Sequence, residues 1–352
     1  MHASFERAGA LKRESKLAPF DTGTSPAVVV TRDGIVESEH FIRLAVASAD
    51  GAVIEARGDI ESRVFMRSSA KPLICAVVIA SGAADRFGFT PEELAVAAGS
   101  HSGEPYHIAA VRSMLAKIGL DEGALQCGPH PPIHEPSAKA LLAQGQEPGR
   151  IHNNCSGKHA AILALAVHRG ASPNSYLSPD HPAQREIIAG CAALLGVEVQ
   201  SMSIGIDGCG IPVIAAPMRA VAVCFARFGE PARFGPAWQE PIARIVRAMV
   251  EHPQYVAGSG RFDTDLIRAA AGAVACKGGA EGYHATAALA QNIGFAVKVA
   301  DGNYRAVSPF VIGRLDDHRV LGSSQLERLA RHRRPPVKNY AGTVVGEIVD
   351  IM

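Results

Sequence analysis

A chain of 352 residues is long enough to bury a large core, either as one domain or as two lobes around a cleft. Its 35 Lys and Arg against 34 Asp and Glu leave a formal charge of +1, too little for the broad field that nucleic acid or an anionic membrane surface would require; a small neutral or zwitterionic ligand fits better. No apolar run reaches the roughly 18 residues that span a bilayer, which excludes a transmembrane helix as the organising element.

Residues 1–26, MHASFERAGALKRESKLAPFDTGTSP, mix both charge signs and lack the apolar stretch and small-residue cleavage site of a secretory signal. They read as a flexible extension of a cytoplasmic protein, with a single catalytic unit expected over 27–352. AVVVTRD (27–33) has the β-branched density of a strand, and FIRLAVASADGAVIEARGD (41–59) alternates on both sides of Asp50-Gly51, as a hairpin does. Ala-rich stretches with helical periodicity follow at 72–87, 91–98, 104–118, 136–144, 156–169, 182–195 and 237–251, punctuated by Gly and Pro. After residue 282, YHATAALA and GFAVKVAD read as a second hairpin, ahead of a helical run through 303–333. Strands at both ends with helices between predict an α+β fold. Its antiparallel sheet is built from N- and C-terminal strands, at about 27–65 and 275–352, and its middle, about 66–274, is mainly helical. The one dense basic run, RLARHRRPP (328–336), reads as a solvated helix end.

Seven cysteines are too few for a disulfide scaffold of this size, and Cys75 and Cys224 sit in apolar runs as small buried hydrophobes. Three other features carry chemistry. Ser68-x-x-Lys71, Ser100-His101-Ser102 and Lys277-Gly278-Gly279 occur in the order of the S-x-x-K, S-D-N and K-T-G elements of penicillin-binding proteins and class A β-lactamases. A serine hydroxyl is a poor nucleophile until a base takes its proton, and a lysine serves only when neutral. Burial of Lys71 and a second cation, Lys277, would both lower its pKa, and Ser100 would relay the proton. Ser68 could instead be a helix cap, because Pro72 confines the helix start to its neighbourhood.

In IHNNCSGKHAAILALAVHRG (151–170), Ser156 is a candidate cap that puts Cys155 and Lys158 at a positive helix end, where a thiol ionises and an ammonium is discouraged. GIDGCGIP (205–212) offers Cys209 and Asp207 in a glycine-rich loop. Two thiolates and a nitrogen suit tetrahedral Zn²⁺, yet C-x-x-C spacing is absent and lysine is a rare ligand, so the residues alone favour two unrelated loop cysteines. His101, His152 and His159 lie beside these motifs as further candidates for substrate or metal, structural roles being the commoner use.

RSSAKPL, AAGSHSGEP, NNCSGKHAA, GIDGCGIP and KGGAEG, in this order from Arg67 to Gly282, resemble the Rhizobium etli-type L-asparaginases, and the likeness extends over nearly the whole chain after about residue 27. The resemblance implies a fold like that of serine β-lactamases and glutaminases, a homodimer, and Ser–Lys pairs formed by Ser68 with Lys71 and Ser100 with Lys277. It implies zinc held by Cys155, Lys158 and Cys209, with Asp207 matching an aspartate nearby; substrate binding is expected from Arg67, Asp207 and His101. The activity implied is hydrolysis of L-asparagine to L-aspartate and ammonia, with room for either Ser–Lys pair to act first; the expected route is an ester on Ser68. Metal-assisted hydrolysis, a penicillin-interactive acyl-hydrolase and an asparagine-binding sensor are the alternatives.

Overall fold

The computed structural model describes residues 21, 23 and 25–352; residues 1–20, 22 and 24 of the expected extension lie outside that set. Among the described residues there are twelve strands, β1 (Val28–Arg32), β2 (Ile35–His40), β3 (Ile42–Ser48), β4 (Val53–Arg57), β5 (Arg63–Phe65), β6 (Ser203–Ile206), β7 (Pro212–Pro217), β8 (Val274–Gly279), β9 (Tyr283–Ala288), β10 (Ile293–Val299), β11 (Pro336–Lys338) and β12 (Val344–Asp350). All pair antiparallel.

The main sheet has the order β4-β3-β10-β9-β8, so both expected hairpins form and then dock on each other. Ile42 pairs with Val299 and Ser48 with Ile293, which joins the two ends of the chain through one strand pair. β3 is buried along almost its whole length, as a central strand covered on both faces must be. Helix Met218–Ala226 packs on β3, β9 and β10, and Gly294 of β10 permits its close approach, since a Cβ there would collide with the Ala222 carbonyl. A second sheet, β11-β12-β1-β2, again unites chain ends.

The middle is helical as expected, with helices at Pro91–Ala98, Pro105–Lys117, Glu135–Ala143, Ser156–His168, Pro182–Leu195 and Pro236–Glu251. The 72–87 run is interrupted. Helix Lys71–Ala80 stops before Gly82, whose φ of +84° no continuing helix allows, and a short turn Ala83–Arg86 follows. Lys71–Ile79 are all buried, because helices Pro91–Ala98, Ser156–His168, Pro182–Leu195 and Pro236–Glu251 surround this one. An α-helix enclosed on every side reads as uniformly apolar.

The middle also holds a small sheet, β5-β7-β6, that the helical reading passed over. Its turn matters for the site. Between β6 and β7, Asp207 N–H bonds to Ile211 O at 2.9 Å and Gly210 N–H to Asp207 O at 2.9 Å, with Gly210 at φ +90°, which presents Asp207 and Cys209 from a tight loop. No helix among the described residues is long and apolar enough to cross a membrane.

Candidate active site

Arg67–Ala70 forms a 3₁₀ turn that runs directly into helix Lys71–Ala80, with Pro72 in the first helical turn where its missing N–H costs nothing. Arg67 lies at φ +51°, an uncommon conformation for a side-chain-bearing residue, so the turn is held by its surroundings. Met66 N–H bonds to Ile214 O of β7 at 3.0 Å, and the Ser69 hydroxyl donates to Lys277 O of β8 at 2.6 Å. Between those anchors stands Ser68, half-buried, whose hydroxyl makes no hydrogen bond within the described protein.

Lys71 is fully buried, and its Nζ donates to Gly99 O at 2.7 Å, Ser100 Oγ at 2.9 Å and Asn154 O at 3.3 Å. Burial lowers its pKa to about 8; the charge of Cys155 opposes that shift, while Lys158 and Lys277 add to it. At pH 7 roughly a tenth of such an amine is neutral. The hydrogen bonds therefore join Lys71 to Ser100, in a different pairing from the Ser68–Lys71 and Ser100–Lys277 one that the resemblance implies.

Lys277 belongs to a separate ionic cluster. Its Nζ is 3.3 Å from Asp263 Oδ2 and donates to Gly278 O at 2.6 Å; the same carboxylate oxygen accepts Gly278 N–H at 2.8 Å. Asp263 Oδ1 faces Tyr304 OH at 3.4 Å and His284 Nε2 at 3.3 Å. Burial would raise the Asp263 pKa, but Lys277, His284 and the Gly278 N–H together hold it well below the usual carboxylate range. Burial lowers the Lys277 pKa while Asp263, its counter-ion at 3.3 Å, opposes this and favours the ammonium.

The glycines after Lys277 are required by space. A Cβ on Gly278 would strike Tyr304 OH, and one on Gly279 would lie 2.6 Å from Met66 O and 3.2 Å from Ser69 Oγ. Gly279→Ala is expected to push β8 from the 3₁₀ turn and lower stability by about 1–3 kcal/mol; chemical denaturation measures it, and an unchanged midpoint would contradict this contact.

Ser68, Ser100, Asn154, Arg261, Asp263, Lys277, Gly278, Gly279, Ala280 and Tyr304 line a cavity of about 180 Å³. Three of the four sequence-selected catalytic residues thus face one space, with Lys71 directly behind Ser100. Arg261, Asp263, Asn154 and Tyr304 were not selected. Asn154 sits inside a quoted motif, whereas Arg261 and Asp263 in SGRFDTDLI carry only the weak signal of an acid in a helix's first turn.

The thiol cluster lies next to this cavity. Cys155 lies beside Cys209 and its thiol donates to Asn154 Oδ1 at 3.2 Å, Lys158 Nζ is 3.1 Å from Cys209 Sγ, and Asp207 Oδ2 is 3.9 Å from that sulfur and 4.0 Å from Lys158 Nζ. Helix Ser156–His168 has Cys155 at its N-cap, and the Ser156 hydroxyl, expected to cap it, donates instead to Ile151 O at 2.9 Å. Cys209 and the nearby lysines draw the Cys155 pKa down, while Cys155 and burial push the Cys209 thiol up. Burial works against the Lys158 charge, yet Cys155, Cys209 and Asp207 more than offset it and raise its pKa, the reverse of the helix-end expectation.

Arg67 and Asp207 are paired to each other, Nε to Oδ1 at 2.8 Å. His101 is outside the cavity lining: its Nδ1 accepts Gly103 N–H at 3.1 Å, which leaves Nε2–H to donate to Ser156 Oγ at 2.8 Å. Asp263, Cys276 and His284 also gather ligand atoms within 4.8 Å of one another, all buried. Asp263 there is already the counter-ion of Lys277 and accepts the Gly278 N–H, so this trio is the poorer donor set for a cation.

A family model for L-asparaginase II matches residues 28–349, nearly the whole described chain. The chain belongs to the L-asparaginase II family. Every residue of the cavity and of the thiol cluster falls within the matched span. A comparison with curated protein sequences finds none that matches. Among solved structures, Mglu in its native form at 4.3 M NaCl aligns at 16% identity over 80% of this chain and 61% of that chain, with TM-score 0.38. A β-lactamase from Mycobacterium bovis aligns at 14% identity over 83% and 95%, with TM-score 0.41. These are remote likenesses, and the chain spans less than two thirds of that Mglu chain.

Proposed function

We propose that this member of the L-asparaginase II family hydrolyses L-asparagine to L-aspartate and ammonia through an ester on Ser68. The observation that carries the reading is an unbonded, half-buried hydroxyl in a small polar cavity that also holds Ser100, itself bonded to a buried lysine of lowered pKa. Ser68 Oγ attacks the side-chain amide carbon, and its proton passes through Ser100 to neutral Lys71. Backbone N–H groups of Ser68 and of the β8 end are the proposed donors to the oxyanion, each such donor being worth about 3 kcal/mol. Collapse breaks the C–N bond, and ammonia leaves with the proton carried back along the same relay. Water then attacks the ester, giving aspartate and freeing Ser68.

The fixed charge of Lys277, held by Asp263 and backbone, stays within the cavity throughout without having to lose its proton. This supports an electrostatic role for Lys277, in place of a second base. Mass spectrometry of a rapidly quenched reaction tests the nucleophile: an adduct is expected on the peptide containing Ser68, and one on the peptide containing Ser100 would transfer the attack to that serine.

The cysteine and lysine side chains fit a zinc ion. Two soft sulfurs and one nitrogen converge in a buried site with an oxygen of Asp207 beside them. Cys155, Lys158 and Cys209 would hold it once Lys158 and the thiols give up their protons to the solvent on binding, and it would then supply a fixed positive charge beside the cavity for orienting substrate. About one zinc per chain is expected by elemental analysis of purified protein, falling to near zero in Cys209→Ala. Retention of full zinc by that variant would remove the cluster from consideration.

A further inference from the structure

We infer that Arg261 selects the substrate by its α-carboxylate, an inference that rests on the amidohydrolase reading above. L-Asparagine brings to the cavity the amide that reacts, an ammonium and a carboxylate, and a carboxylate taken out of water needs a cation with matching hydrogen bonds. Two cations line the cavity. Lys277 already has Asp263 as its counter-ion at 3.3 Å. Arg261 has no carboxylate within ion-pair distance among the described residues, and it makes one side-chain hydrogen bond, Nη1 to Ser102 Oγ at 3.2 Å. The rest of its donor fork is free for a bidentate contact. Arg67, the arginine that the sequence singles out, is committed to Asp207 at 2.8 Å and approaches Glu281 at 4.0 Å.

The segment that carries Arg261 is fixed in advance of binding. Glu104 accepts Ser259 N–H at 2.7 Å, Ser259 Oγ–H at 2.8 Å and Tyr106 OH at 2.9 Å, and makes no ion pair with the arginine. Gly258 stands at φ +129° with a virtual Cβ 2.6 Å from Glu104 Oε1, so only glycine lets the loop pack this closely. Gly258 N–H bonds to Thr264 Oγ1 at 2.9 Å, and Ser102 Oγ donates to Ala257 O at 2.8 Å while receiving Arg261. The two serines of Ser100-His101-Ser102 thereby divide their work: one faces the reacting amide and the other seats the arginine. A preorganised cation at the cavity wall favours an amide bearing a carboxylate over the same amide without one.

The test compares L-asparagine with 3-aminopropanamide, which keeps the reacting amide and the ammonium and lacks the carboxylate. Wild type is expected to favour asparagine in kcat/KM by about 10²-fold. Arg261→Gln should lose about that factor on asparagine, mostly through KM, with 3-aminopropanamide changed less than about threefold; Arg261→Lys should recover part of the loss as a point charge without the fork. Calorimetric titration with L-aspartate gives a readout independent of turnover, and Arg261→Gln should weaken that binding by a similar factor at an unchanged melting temperature. Equal losses on both amides, or unchanged aspartate affinity in Arg261→Gln, would overturn the assignment. If wild type releases no ammonia yet binds L-aspartate through Arg261, the amidohydrolase reading falls and the carboxylate assignment stands.

Discussion

Ser68→Ala is expected to release ammonia from L-asparagine at least about 10³-fold more slowly than wild type while melting at the wild-type temperature. The two halves of that expectation come from one observation. The Ser68 hydroxyl is bonded to nothing within the described protein, so its removal leaves no buried group unpaired and no helix end uncapped. The local backbone stays in place, because the Lys71 N–H still meets Ser68 O and the Ser69 hydroxyl still reaches Lys277 O. Ser69→Ala is the matched control with the opposite pattern, since it removes a buried hydrogen bond that ties the turn to β8 and should lower stability by about 1–2 kcal/mol. A Ser68→Ala protein that retains turnover within tenfold would end the case for this nucleophile. One that melts several degrees lower would show that the hydroxyl is structural after all.

Much of this site was readable from the chain because its chemistry sits in short local motifs. Ser68 and Lys71 share one turn, Cys155 and Lys158 share one helix end, and Asp207 and Cys209 share one loop. The main sheet was legible for a similar reason, as Asp50-Gly51 and the alternation on both sides of it specify a hairpin without reference to the rest of the fold. Strands without a clear alternation were lost. β2 is IVESEH, mostly exposed, and β7 is PVIAAP, with a proline at each end, so neither presents a period that separates strand from loop. The pairing of charges was lost too, because it is fixed between elements far apart in sequence: Asp263 meets Lys277 across fourteen positions, and Lys71 meets Ser100 across twenty-nine. A motif states which side chains are present, whereas which of them touch depends on how helix Phe262–Ala270 and β8 are packed.

That long-range pairing yields the second large effect. Asp263→Asn keeps the shape and removes the one negative charge set against a fully buried ammonium, and is expected to destabilise the protein by about 3–5 kcal/mol at pH 7. The pH dependence has a definite sign. Asp263 titrates lower in the folded chain than in the unfolded one, so its stabilising contribution is complete above the unfolded value of about 3.9 and is lost as pH falls towards the folded one. The difference between wild type and Asp263→Asn, measured as urea midpoints, should therefore be constant from pH 7 to about pH 5 and shrink below about pH 4. Turnover should fall by at least about 10²-fold at pH 7, because the Lys277 ammonium is left without its counter-ion and burial then drives it towards the neutral amine. Equal urea midpoints for the two proteins at neutral pH would mean that the buried ion pair contributes nothing to the fold, and Lys277 would then have no reason to stay charged in the cavity.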